Sequence, residues 1–135
     1  MNNPFSPGRY KKVLVIDDDE VDLFITKRLL QSASFAEEIM LKSSIASALM
    51  YLENLIRNSD NLPEIIFLDL NMPGEDSFDF LEQLRQIRAL IGINFRVIIL
   101  TNVADRFKKN EEKENYSIVE GILEKPLKRD ILANI

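Results

Sequence analysis

Four places in this 135-residue chain carry side chains able to do chemistry together: the run Asp17-Asp18-Asp19-Glu20, then Asp69, Thr101 and Lys125. No His or Cys occurs anywhere. Their absence removes imidazole acid/base chemistry, thiol nucleophiles, disulfides, the usual zinc ligands and any phosphohistidine on the chain itself. Carboxylate, hydroxyl and ammonium remain. Carboxylates crowded within a few ångströms repel one another and take up protons unless a cation lies among them. An all-oxygen donor set selects a hard ion, and Mg2+ characteristically takes one or two carboxylates with waters and phosphate oxygens. With Lys125 as a second positive charge, these residue types suit a metal-assisted phosphoryl site.

Such a site needs elements that bring distant positions to one rim. Short β-branched runs lie at 13–16, 65–68 and 97–100, with weaker candidates at 39–41 and 122–123. The strong runs are apolar at successive residues, as strands of a parallel sheet covered on both faces must be. Helical spacing fills the gaps. Val21, Phe24, Ile25 and Leu29 form one stripe, and Ile45, Ala48, Leu49, Leu52, Leu55 and Ile56 a second with Ser44 as its cap. Asp76 caps a third, with inner face Phe80, Leu81, Leu84, Ile87 and Ile91. Residues 104–115 are strongly polar and predict a short or mostly solvated fourth helix, and a fifth follows Pro126 with Leu127, Ile131 and Leu132. Strand and helix alternate five times, which predicts an α/β fold: an open parallel sheet with helices on both sides. Ligands of such sheets bind beyond the carboxyl ends of the strands, where strand order reverses. The chemically able residues close four of the predicted strands, in the order acid, acid, hydroxyl, cation.

Taken singly, each has a plainer explanation. The acidic run suits the positive end of a helix, Asp69 a turn, Thr101 an ordinary strand residue and Lys125 a surface turn before Pro126. Their combination is what points to a site. Composition sets the frame: 46% apolar and 29% charged residues fit one globular domain, residues 11–135, behind a flexible lead-in at 1–10 rich in Asn, Pro, Ser and Gly. The lead-in lacks the apolar core of a secretory signal, and no apolar run is long enough to cross a bilayer, so a cytoplasmic protein is expected. With 22 acidic against 17 basic residues and a formal charge of −5, the chain has no surplus of cations for nucleic acid or an anionic membrane.

The segments VLVIDDDEVD (13–22), IIFLDLNMPGEDSF (65–78), VIILTN (97–102) and GILEKPL (121–127) resemble the receiver domain of two-component response regulators, over about residues 11–135. The resemblance implies a flavodoxin-like three-layer (βα)5 sandwich with strand order 2-1-3-4-5. It implies Asp69 as phosphoacceptor, with Asp18 and Asp69 holding Mg2+ directly, Asp17 acting through water and Asn71 adding its backbone carbonyl. Lys125 would pair with a phosphoryl oxygen and Thr101 reorient toward it. Such a chain is a phosphoacceptor rather than an enzyme. It takes its phosphoryl group from a sensor histidine kinase or histidine phosphotransfer protein and switches binding to an unknown downstream protein, as a monomer or a phosphorylation-dependent dimer. A stand-alone receiver is the expected type, with its output surface on the fourth helix, fifth strand and fifth helix. Arg106, Lys108, Lys109 and Lys113 fall in that region and are accounted for as a solvated polar helix balanced by Glu111, Glu112 and Glu114.

The chain also departs from the family pattern. Ser77 stands where a Gly is usual, which stiffens or reshapes the loop over the site. Ile122 stands where many receivers place an aromatic switch residue, so an aromatic version of the switch cannot operate. Asn71 and Val103 stand at the positions that tune dephosphorylation, and the apolar Val103 cannot orient water, which predicts slow to moderate loss of the phosphoryl group. Asp19, Glu20 and Asp22 are accounted for by a solvated face or a first helical turn. Two rivals accompany the receiver. A degenerate receiver would act as a phosphate-independent interaction module, but its usual sign, loss of a key residue, is missing. A Mg2+-dependent phosphatase with an aspartyl-phosphate intermediate commonly needs a second Asp two positions after the nucleophile, where this chain has Asn71.

Overall fold

In the computed structural model, residues 9–102 and 117–135 are described. The expected lead-in up to residue 8, Val103 and the polar segment at 104–115 lie outside the described residues. Five strands form one sheet: β1 (Tyr10–Ile16), β2 (Ala36–Lys42), β3 (Ile65–Asp69), β4 (Arg96–Thr101) and β5 (Val119–Glu124). All pairings are parallel and the order is β2-β1-β3-β4-β5. Four helices are described: α1 (Glu20–Ser32), α2 (Ile45–Arg57), α3 (Ser77–Ile91) and the short C-terminal α4 (Arg129–Leu132). The predicted α/β architecture and strand order are the ones found.

Alternate strand residues divide the core into two layers, because successive side chains leave a strand on opposite faces. Leu14, Ile16, Ile66, Leu68, Val97 and Ile99 pack with Ile45, Ala48 and Leu52 of α2 and with Phe80, Leu81 and Leu84 of α3. Val13, Val15, Ile65, Phe67, Ile98 and Leu100 pack on the other face with Leu23 and Leu30 of α1 and Leu132 of α4. Every residue of β3 is buried. This explains its unbroken apolar run up to Asp69.

One stripe needs correction. Val21, Phe24 and Ile25, expected to face inward, are 65%, 58% and 48% exposed, whereas Leu23, Thr26 and Leu30 are buried. Two stripes of similar spacing compete on α1, and the phase that wins places Asp22, Thr26, Leu29 and Leu30 along the sheet-facing side. The predicted strands are also short of the observed ones. β2 and β5 extend well beyond 39–41 and 122–123 because parallel pairing with β1 and β4 recruits residues with no apolar signal of their own, such as Glu38 opposite Lys12.

The chain runs from β1 outward to β2, then back across β1 to β3. Strand order therefore reverses between β1 and β3, and it is beyond the carboxyl ends of strands at such a switch point that open α/β sheets bind ligands.

Candidate functional site

The acidic run follows β1 at this switch point, and each acid meets a different environment. The Asp17 amide bonds Lys42 O at 3.1 Å, carrying the β1–β2 pairing one residue further. Its side chain is buried, and Oδ1 accepts from the Asp19 amide at 3.0 Å. Asp18 is exposed. Asp19 turns back to cap α1, its Oδ1 accepting from the amides of Val21 at 2.9 Å and Asp22 at 3.2 Å, which satisfies donors that the first helical turn leaves free.

Asp69 closes β3 with only 2% exposure. Its Oδ1 accepts from the Asn71 amide at 2.9 Å, and the Asn71 side-chain amide reaches Thr101 Oγ1 at 3.3 Å. The loop beyond is shaped by a tight turn: Glu75 N bonds Met72 O at 3.2 Å, and Gly74 takes φ +80, the left-handed geometry that a Pro-Gly type II turn requires. Glu75 then reaches α2, its Oε1 and Oε2 accepting from Ile45 N at 3.0 and 3.1 Å. Ser77 opens α3, and its hydroxyl is buried without a partner.

Thr101 closes β4 with 1% exposure, and its carbonyl accepts from Lys125 N at 2.9 Å. Lys125 follows β5, before a cis bond to Pro126. Its Nζ donates to Asp17 Oδ2 at 2.6 Å and Asp22 Oδ2 at 3.0 Å, and lies 3.1 Å from Asp69 Oδ2. One carboxylate oxygen from each of Asp17, Asp18 and Asp69 lies within 4.8 Å of the other two.

The sequence thus placed Asp17, Asp18, Asp69, Asn71, Thr101 and Lys125 on residues that the fold gathers at one rim. Ile122 is elsewhere: it pairs with Ile99 across β4 and β5 and packs against the α2/α3 side of the core. Asp22, read as a solvated or first-turn acid, is a direct partner of Lys125. A signal was present, since Asp22 and Thr26 share one line of a helix, four positions apart.

Charge governs the site. Burial pushes the Asp17 carboxyl above its ordinary 3.8, and the Asp69 charge adds to this, although Lys125 and the Asp19 amide pull the other way. Burial opposes the Lys125 ammonium too, but hydrogen bonds to Asp17 and Asp22 and the charges of Asp69 and Asp17 outweigh it and hold the group well above 10.5. One ammonium is shared by three carboxylates, those of Asp17, Asp22 and Asp69, and Asp18 adds a fourth negative charge to the cluster. The excess of negative charge in an all-oxygen cluster fits a hard divalent cation such as Mg2+.

A doubly wound parallel sheet with buried acids at its switch point and a Lys closing the last strand defines a class. The chain belongs to the response regulator receiver domain family, whose model matches residues 13–135. It is 28% identical over 118 residues to the hybrid signal transduction histidine kinase L of Dictyostelium discoideum, covering 87% of this chain and 7% of that much longer protein. A two-component response regulator from Cytophaga hutchinsonii shares 26% identity at a TM-score of 0.78, covering 92% of each chain. The receiver domain of the Arabidopsis thaliana histidine kinase CKI1, crystallised with Mg2+ and BeF3−, shows the same fold at a TM-score of 0.74 and 24% identity, over 93% of this chain and 86% of that one. Among the described residues no helix is long and apolar enough to cross a membrane.

Proposed function

We propose that residues 11–135 form a phosphoacceptor switch in which Asp69 takes a phosphoryl group from a phosphohistidine of a sensor histidine kinase or phosphotransfer protein. The observation that carries this is the position of the Lys125 ammonium, 3.1 Å from the Asp69 carboxylate and paired at the same time with the buried Asp17. These 135 residues contain no His, so the donor imidazole lies outside them. The cytoplasm is the compartment that suits such a relay.

One oxygen of Asp69 attacks phosphorus in line with the P–N bond of the donor. That bond breaks, its electron pair returns to the imidazole nitrogen, and an acyl phosphate forms on Asp69. Asp18 and Asp69 would hold Mg2+, with Asp17 acting through water and the Asn71 carbonyl completing the set. An ion held there would supply positive charge to offset the negative charge developing on the phosphoryl oxygens. Lys125 supplies the second positive charge. The Asn71 contact to Thr101 Oγ1 links the loop after Asp69 to the end of β4, so a phosphoryl oxygen competing for the Thr101 hydroxyl would disturb both segments and bias partner binding.

Incubation with a small acyl-phosphate donor and Mg2+, followed by intact-mass measurement, tests this. One phosphoryl adduct is expected on the native chain and none on Asp69→Asn. An unmodified native chain would indicate a phosphate-independent module, and steady release of phosphate from added esters would indicate a phosphatase.

A further inference from the structure

An ammonium has three N–H donors, and three carboxylates surround that of Lys125: Asp17 at 2.6 Å, Asp22 at 3.0 Å and Asp69 at 3.1 Å. Two of these acids belong to the proposed acceptor and metal set. The third comes from the first turn of α1. Asp19 caps that turn and the burial of Leu23, Thr26 and Leu30 fixes its rotation, so Asp22 is aimed at Lys125 by packing as well as by charge.

We propose that Asp22 is a positioning residue that competes with the phosphoryl group for the Lys125 ammonium and thereby slows phosphoryl acceptance on Asp69. This rests on the phosphoacceptor reading of Asp69 and deepens it. A phosphoryl group brings about −2 of charge and strong acceptor oxygens. The approach to Asp69 is lost as that carboxylate becomes an acyl phosphate, and for the ammonium to move toward the phosphoryl oxygens one of its two hydrogen bonds, to Asp17 or to Asp22, must open as well. Asp17 is a poor choice, because its side chain is only 2% exposed and would be left as an unpaired buried charge. The Asp22 side chain is 35% exposed, so water can take the place of the ammonium there. The Asp22 contact is therefore the one that opens. Breaking a partly exposed, charge-assisted hydrogen bond slows the step by about three- to tenfold.

The test uses the full chain, a small acyl-phosphate donor and saturating Mg2+, with initial rates read by intact mass at several donor concentrations. Asp22→Asn is expected to raise the maximal rate about three- to tenfold without changing the donor concentration at half-maximal rate, and to keep that gain at high salt. Asp22→Ala serves as a second variant and should behave alike, thermal melts showing that both are folded. Glu20→Gln removes the same formal charge from the same turn. Glu20 is exposed and makes no ion pair among the described residues, so its rate should change by less than about twofold. An unchanged or slower Asp22→Asn, or an equal gain in Glu20→Gln, would overturn the proposal while leaving Asp69 as acceptor. A native chain that takes up no phosphoryl group would overturn both.

Discussion

Three consecutive acids, Asp17, Asp18 and Asp19, show how far one residue type can diverge within a single turn. Asp17 is buried against Lys125, Asp18 is exposed beside two other carboxylates, and Asp19 is consumed in capping α1. Asp18 gains repulsion and no counter-charge from its own chain among the described residues. Asp18→Asn is therefore expected to stabilise the fold by about 1 kcal/mol when no divalent ion is present, as seen in the urea midpoint. Adding Mg2+ should reverse the order, because a ligand bound only by the native state stabilises the native protein by about 2.7 kcal/mol at a hundred times its Kd. Tyr51 illustrates a cost of another kind. Its hydroxyl is buried without a partner, and burial, then the charge of Glu38, raises its pKa from 10.0 to about 12. Tyr51→Phe removes that unsatisfied group and should raise the thermal midpoint, by about 1 kcal/mol in stability.

At the scale of elements, each of the three long helices among the described residues begins on a side-chain oxygen: Asp19 for α1, Ser44 for α2 and Asp76 for α3. Helix α2 has a second acceptor, because Glu75 reaches across from the loop after Asp69 to the Ile45 amide. A carboxylate at this end also opposes the positive pole of the helix. Glu75→Ala and Ser44→Ala should each lower stability by about 1 kcal/mol in chemical denaturation, whereas Glu75→Gln, which keeps an acceptor, should lose less. Helix α1 shows the limit of periodicity. Its more hydrophobic stripe faces outward, with the Arg28 guanidinium 5.7 Å from the Phe24 ring centroid. The inward stripe includes Thr26, which no hydropathy count would choose.

For the molecule as a whole, the two groups with strongly raised pKa values among the described residues titrate at high pH. The native protein keeps protons on Lys125 and Tyr51 that the unfolded chain releases above 10.5 and 10.0. Their contributions are complete below those values and are lost as pH rises through the native ones. The urea midpoint should thus fall as pH is raised beyond about 10. Tyr51→Phe should flatten the fall without abolishing it, since the Lys125 share persists.

The order of apolar runs and amphipathic stripes contained the α/β class, two helix caps and the acids, hydroxyl and cation that end the strands, because buried parallel strands and helix starts impose local residue preferences. β2 and β5 were faint, since half-covered strands with charged residues owe their pairing to neighbours. Asp17, Asp69 and Lys125 were visible as residue types, but their pairing joins positions far apart in the chain. The rotation of α1, the exchange of roles among Asp17, Asp18 and Asp19, the reach of Glu75 to α2 and the place of Asp22 beside Lys125 were decided only by tertiary structure. Each depends on which side of an element meets the sheet, and that is set by packing between segments rather than by any local pattern.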